Sequence, residues 1–316
     1  MLCFAGFSDA QLSLTQPGVT ATMNFDIPGT SACSGTLPWT NDVTIPNCYT
    51  NRSVYAYSNG CNNTGAVHIA GDAGETAFGG RASTSTSLII WGVRVVNNTG
   101  QAITALHIKY RAEQWALAQT NLTNTVQFGY RVSATPITDV TTGAYTAEPA
   151  LDMRNFVTGT SCGGGNSNLN GNLPAYSGDI YGCIQVNIPD GHEIMLRWYE
   201  PNDGCNDHML CIDDLEVTPV SGLEASVFNP PVCMGDSIRL SARPALQGAA
   251  YSWSGPGGFA AQAADTILAP AALAHEGVYT ATTTVPGCGT WSDTVNVTIA
   301  APATFTITDT ICTGDF

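Results

Sequence analysis

The 316-residue chain carries 10 Lys and Arg against 25 Asp and Glu, a formal net charge of −15, with 44% hydrophobic and only 11% charged residues. So acidic a surface repels phosphate backbones and anionic headgroups, which argues against nucleic acid as a partner and leaves cation binding or solubility as uses for the carboxylates. The length suits two domains and a remnant, and eleven Cys without paired C-x-x-C spacing point to disulfides formed in an oxidising compartment.

Met1 to Gln11 reads as the tail of a secretory signal peptide: an apolar run followed by small Ser8 and Ala10. Residues 1–10 are therefore expected to be removed; a buried first strand is the alternative. The run is too short to span a bilayer, and no other segment has the length and apolarity of a transmembrane helix.

Residues 11–220 read as one domain of period-two strands. Leu106, Ile108 and Tyr110 alternate with His107, Lys109 and Arg111, and Val126, Phe128, Tyr130 and Val132 with polar neighbours. Ile194, Leu196 and Trp198 repeat the scheme. Turn clusters such as Asn97-Asn98-Thr99-Gly100 separate them, so a two-sheet, jelly-roll-like β-sandwich is the economical architecture. The Ala-rich stretch Arg111 to Thr120 fits either a strand or a short helix. Aromatics in a sandwich usually fill the core, but Trp115 and Tyr176 lie near expected loops and are the candidate ligand binders, with glycans as a partner class.

The densest chemistry runs from Glu200 to Glu216 and includes Asp203, Asp207, Asp213 and Asp214. Leu210 and Ile212 share one strand phase, while Leu215 and Val217 take the other, so a bulge or break is expected at Asp213-Asp214. A buried carboxylate needs strong donors or a cation. The four aspartates are therefore the candidate ligands of a structural Ca²⁺, although the spacing is not that of an EF-hand. An arginine partner, Arg197 or Arg94, and a solvated acidic loop are the alternatives. The five histidines show no metal-ligand spacing and read as surface or turn residues, His208 lying inside the acidic cluster. Gly159-Thr-Ser161-Cys162-Gly163 matches a hydrolase string, but a Gly-rich loop follows where a nucleophile elbow needs a helix.

Seven cysteines remain in this domain once Cys3 leaves. Cys162 with Cys183 and Cys205 with Cys211 are expected as local loops, and two of Cys33, Cys48 and Cys61 as a third pair. The seventh is either a free buried thiol or an interchain bridge.

The order Trp91-Gly-Val-Arg-Val-Val-Asn-Asn-Thr-Gly, then Glu113-Gln-Trp115, Leu196-Arg-Trp198 and Asn206-Asp-His-x-x-x-Ile212-Asp213-Asp214-Leu215 resembles an N-terminal jelly-roll module of secreted bacterial multidomain proteins.

Residues 221–300 form a second unit. Ile238 and Leu240 alternate with polar residues, Trp253 sits on an aromatic strand, and Val295, Val297 and Ile299 close the pattern. Cys233-Met-Gly-Asp, Tyr251-Ser-Trp253-Ser-Gly-Pro-Gly-Gly-Phe259, Gly277-Val-Tyr279-Thr and Gly287-Cys288 resemble the immunoglobulin-like and PKD-like repeats of Bacteroidota surface proteins. Position 281 is Ala where antibody domains carry the inter-sheet cysteine, so Cys233 is expected to pair with Cys288. Val232-Cys233-Met234-Gly235-Asp236 recurs as Ile311-Cys312-Thr313-Gly314-Asp315, which makes 301–316 the start of another repeat and predicts a longer chain.

The fold class expected is thus all-β: a jelly-roll-like sandwich, an immunoglobulin-like sandwich and the start of a second repeat. The expected function is a noncatalytic, secreted or cell-surface structural or adhesive protein. Other copies of the chain or surface proteins would be its partners, in a homo-oligomer or fibre. The resemblance implies Sec export and, further, the type IX route. The alternative is a set of accessory carbohydrate-binding or spacer modules of a secreted hydrolase. A weaker reading makes the first domain itself a hydrolase using Glu113, Glu200 or Asp207.

Overall fold

The computed structural model describes residues 12–27, 33, 35–61, 64–72, 74–118, 120–162 and 166–301. Residues 1–10, read above as a signal segment, and Ile311 to Asp315, read as the start of a repeat, lie outside the described residues. Strands dominate, and the helical elements among the described residues are three single 3₁₀ turns. No helix of the described residues is long and apolar enough to cross a membrane.

The chain divides into two compact units at Gly222/Leu223, with Leu246–Gly248 and Val285–Gly289 grouped with the first. The first unit is built on β1 (Val54–Ser58), β2 (Ala66–Asp72), β3 (Glu75–Arg81), β4 (Leu88–Asn97), β5 (Ile103–Leu117), β6 (Thr125–Ser133), β7 (Ser177–Ile188), β8 (Glu193–Pro201) and β9 (Met209–Pro219). In one sheet β8 lies between β4 and β6, antiparallel to both, and Ser13–Leu14 adds a parallel edge to β4. The other sheet runs β7, β5, β9, β3, β2, β1, Thr36–Pro38.

Alternation explains why these sheets face one another. Trp91, Val93, Val95, Phe128, Leu196 and Trp198 from one sheet and Val67, Ile69, Phe78, Leu106, Ile108 and Tyr110 from the other form one buried cluster. Trp198 meets Tyr110 and Phe128 edge-on, with ring centroids 5.3 and 5.4 Å apart. The stretch from Arg111 is strand through Leu117, so the Ala-rich residues continue β5.

The expected bulge is present. From Asp213 to Glu216 the partner on β5 moves only from Arg111 to Lys109, and Asp214 takes φ +46°. The extra residue reverses the side-chain phase, which places Leu210 and Ile212 before it and Leu215 and Val217 after it in the same core.

The second unit is also a sandwich. One sheet is β10 (Glu224–Val227), β11 (Ile238–Arg243) and β13 (Asp265–Leu268). The other holds β12 (Ala250–Gly255), β14 (Gly277–Val285) and β15 (Gly289–Val297), with Phe259–Ala261 at its edge. Trp253 and Tyr279 fill its core with Ile238, Leu240 and Val297. Tyr279 donates its hydroxyl to the His275 carbonyl at 2.9 Å, the corner expected of an immunoglobulin-like sandwich.

The disulfides correct three expectations. Cys162 pairs with Cys205, Cys183 with Cys288 and Cys33 with Cys61. Cys183 cannot close a local loop with Cys162 because it sits inside β7, opposite His107 of β5. Cys211 cannot fold back to Cys205 because β9 holds it extended between Glu113 and Gly79, and it stays a buried thiol. Cys233, whose strand pairs with Ile299–Ala300, is an exposed thiol rather than the partner of Cys288. Cys48 is a free buried thiol.

Candidate functional site

Polar side chains concentrate at one end of the first sandwich, where β3, β5 and β8 finish and β4 and β9 begin. Glu200 continues the inward phase of Ile194, Leu196 and Trp198 on β8, but reaches the end of the apolar core, where it is 1% exposed. The opposite sheet makes room for it with Gly80. A Cβ there would fall 2.5 Å from Ile89 Cγ2 and 3.4 Å from Glu200 Oε2.

A hydrogen-bonded network ties the surrounding loops together. Gln114 of β5, fully buried, accepts from the Phe156 and Val157 amides at 2.8 and 2.9 Å and donates to the Val157 carbonyl at 3.0 Å. Its Nε2 also donates to His208 Nδ1 at 3.2 Å, and the Ala118 amide donates to the same nitrogen at 3.0 Å. With Nδ1 an acceptor twice over, the imidazole carries its proton on Nε2. Burial, then the Arg81 charge, lowers its pKa to about 4. The His208 amide donates to Asn124 Oδ1 at 2.7 Å, which fixes the orientation of that side chain. Asn124 Nδ2 consequently points at carboxylates and donates to Asp203 and, at 3.1 Å, to Asp207 Oδ1. The Asp203 amide also donates to Asp207 Oδ1, at 3.1 Å, and Cys162–Cys205 anchors the loop between them.

This arrangement leaves buried oxygens without a hydrogen bond: both of Glu200, Asp207 Oδ2 and Asn202 Oδ1. Burial, then the nearby Asp207 charge, pushes the Glu200 carboxyl well above the usual carboxylate range. Burial also raises Asp207, to about 7, against the Asp203 amide, whose hydrogen bond lowers it, while the Asp203 charge adds to the rise. Arg81 is the cation whose charge acts on both, yet no ion pair within 4 Å joins it to either, and its Nη2 donates to Asn166 Oδ1 at 3.1 Å.

The other two aspartates of the expected calcium set lie elsewhere. Asp213 points to the other face of the sheet, buried beside Glu75, Glu113 and the exposed Asp214, and accepts from the Asp214 amide at 2.8 Å. Burial is the main reason its carboxyl is pushed up to about 8. The four aspartates therefore do not form one site: Asp213 alternates with core-facing Ile212 and so lies on the other face of the sheet, and Asp214 is exposed at the bulge. Among the described residues no three His, Cys, Asp or Glu side chains gather as a metal-ligand set. Neither proposed arginine partner reaches these carboxylates: Arg94 pairs with Asp42 at 2.8 Å, and Arg197 stacks 3.6 Å over the Tyr145 ring.

Trp115 is not an open platform. It is 1% exposed, donates Nε1 to Glu113 Oε2 at 2.8 Å and lies against Gly171, where a Cβ would stand 2.5 Å from Nε1. Glu113 is also buried and has Arg111 Nε 3.4 Å from Oε1. Tyr176 is half-buried, and its carbonyl accepts the Gln114 amide at 2.8 Å. Contrary to expectation, His68, His107 and His208 are all buried. Gln114, Asn124 and Arg81 carry no local sequence signal for the roles they play, since their partners are tens of residues away.

In the second unit the outward face of the three-stranded sheet exposes large apolar side chains. Phe228 is 63% and Ile267 62% exposed, on either side of Arg239, which pairs with Ile267 and whose carbonyl accepts the Phe228 amide at 3.0 Å.

No family model and no curated protein matches the chain. Among solved structures, it is similar to the adhesin domain of Epf from Streptococcus pyogenes at 9% identity and a TM-score of 0.26, over 82% of this chain and 93% of that one. The amphioxus IgVJ-C2 molecule gives 12% identity and a TM-score of 0.21 over 58% and 99%. A β-1,2-glucanase from Parabacteroides distasonis gives 12% and 0.24 over 94% and 39%. TM-scores this low carry no argument about fold or function.

Proposed function

We propose that this chain is a noncatalytic extracellular protein that makes adhesive or structural contacts through its sandwich surfaces, with surface proteins or further copies of itself as partners. The observation that carries the reading is where the two kinds of side chain lie. The carboxylates best suited by type to hydrolysis, Glu113, Glu200 and Asp207, are each 1% exposed, so a substrate cannot touch them without opening the sandwich. The apolar row of Phe228 and Ile267 is instead open to a partner. Three disulfides and a strongly acidic composition suit secretion into an oxidising medium. The accessory-module reading differs in its ligand, a polysaccharide in place of a protein.

Beads coated with the whole chain, passed over immobilised chain and over a panel of polysaccharides, test this. Retention on immobilised chain, reduced about tenfold by Phe228→Ala with Ile267→Ala, is the expected result. Retention on polysaccharide alone would move the assignment to the accessory module, and retention on neither would remove the self-adhesive role.

A further inference from the structure

The end of the first sandwich gathers oxygens that the protein itself does not satisfy. Glu200 arrives from β8, whereas Asn202, Asp203 and Asp207 arrive from the loop that follows it. Both Glu200 oxygens, Asp207 Oδ2 and Asn202 Oδ1 are buried and make no well-formed hydrogen bond, although the Ala82 amide favours the Glu200 charge, and Arg81 Nη1 and His208 Nε2 are buried and unpaired at the same end. All four are hard oxygen donors, two of them on one carboxylate that can bind in bidentate fashion, and the unpaired His208 Nε2 carries a proton and so is no ligand. The Asn124 amide, oriented by His208, donates to one oxygen of the half-buried Asp203 and to the other oxygen of Asp207.

The formal charges agree with the donor chemistry. Glu200, Asp203 and Asp207 bring three carboxyl groups to this end of the sandwich against the single guanidinium of Arg81. Such an excess is compensated inside a protein either by protons or by a bound cation. A divalent cation would balance it and give the orphaned oxygens a common partner.

We propose that Glu200, Asp207 and Asn202 form a divalent-cation site, of the size and hardness of Ca²⁺, that locks the 202–207 loop to the end of β8. The site differs from a four-aspartate set in using two carboxylates and an amide carbonyl, with Asp213 and Asp214 taking no part. Ca²⁺ fits better than Mg²⁺ because it accepts an irregular, protein-supplied oxygen set, whereas Mg²⁺ demands near-octahedral geometry and retains its waters.

The test uses the whole chain stripped with EDTA and desalted, titrated calorimetrically with CaCl₂ and separately with MgCl₂, and melted with and without about 1 mM of each, the affinity range of extracellular calcium modules. One saturable Ca²⁺ per chain and a raised melting temperature are expected, with Mg²⁺ weaker. Glu200→Gln and Asp207→Asn should each weaken binding at least about tenfold, and Asp214→Asn should leave it unchanged. Glu200→Gln removes a buried charge, so the cation-free variant should melt no lower than the cation-free wild type; if it fails to fold, Asn202→Ala at the half-buried rim gives the same comparison. Absence of saturable binding in the wild type would overturn the proposal, as would binding that survives unweakened in both Glu200→Gln and Asp207→Asn.

Discussion

Replacing Asp213 by Asn should stabilise the protein, and by an amount that grows with pH. Asp213 is 1% exposed, next to Glu75, Glu113 and Asp214, with Arg111 the cation opposite it on β5. Its pKa is raised to about 8, mainly by burial. An ordinary aspartate titrates near 4, so the folded state holds a proton that the unfolded chain releases. The sign follows directly: the contribution to stability is full below about pH 4 and is lost progressively as pH rises towards 8. A displacement of this size is worth roughly 2–5 kcal/mol at pH 8 for a buried group sharing its proton with neighbours. Asn keeps an oxygen for the Asp214 amide, now 2.8 Å away, and cannot ionise. Urea denaturation of wild type and Asp213→Asn at pH 4.5, 6 and 8 should give a gap near zero at the lowest pH and widest at the highest. A gap that does not vary with pH, or a variant less stable at pH 8, would refute the reasoning.

Other substitutions and measurements probe the remaining parts of the structure. Gly171→Ala puts a methyl against the Trp115 indole and should cost about 1–3 kcal/mol, seen as a lower urea midpoint with altered tryptophan emission. Gln114→Ala strands the Phe156 and Val157 amides and should destabilise the first unit by roughly 2–4 kcal/mol, measured by the same denaturation. Tyr279→Phe removes one hydrogen bond and should cost about 1 kcal/mol in the second unit. Peptide mapping under non-reducing conditions should return Cys33–Cys61, Cys162–Cys205 and Cys183–Cys288. A thiol reagent should label Cys233 in the folded chain, but Cys48 and Cys211 only after denaturation.

What was legible in the sequence was periodic. The alternation through Leu106 to Tyr110, Val126 to Val132 and Ile194 to Trp198 located strands whose apolar phases meet in one core, and the phase slip at Asp213-Asp214 located the bulge. Disulfide partners were not legible, because proximity along the chain is a poor guide once Cys183 and Cys211 are extended within strands. The four aspartates mislead for a related reason: they are close in sequence, but alternation with Ile212 puts Asp213 on the opposite face and Asp214 is exposed at the bulge. Trp115 reads as loop-adjacent in the sequence because the Ala-rich segment obscures a 15-residue strand. Its two-residue offset from Glu113 was the available clue, since it puts both on one strand face, where the indole donates to the carboxylate.

The sealing of Glu113, Glu200 and Asp207 against turnover is tested most directly by incubating the whole chain with a panel of polysaccharides from pH 4 to 8 and measuring released reducing ends. The expected result is the same background release from wild type and Glu200→Gln. Release by the wild type that disappears in folded Glu200→Gln would contradict it, and would make that carboxyl a reacting group.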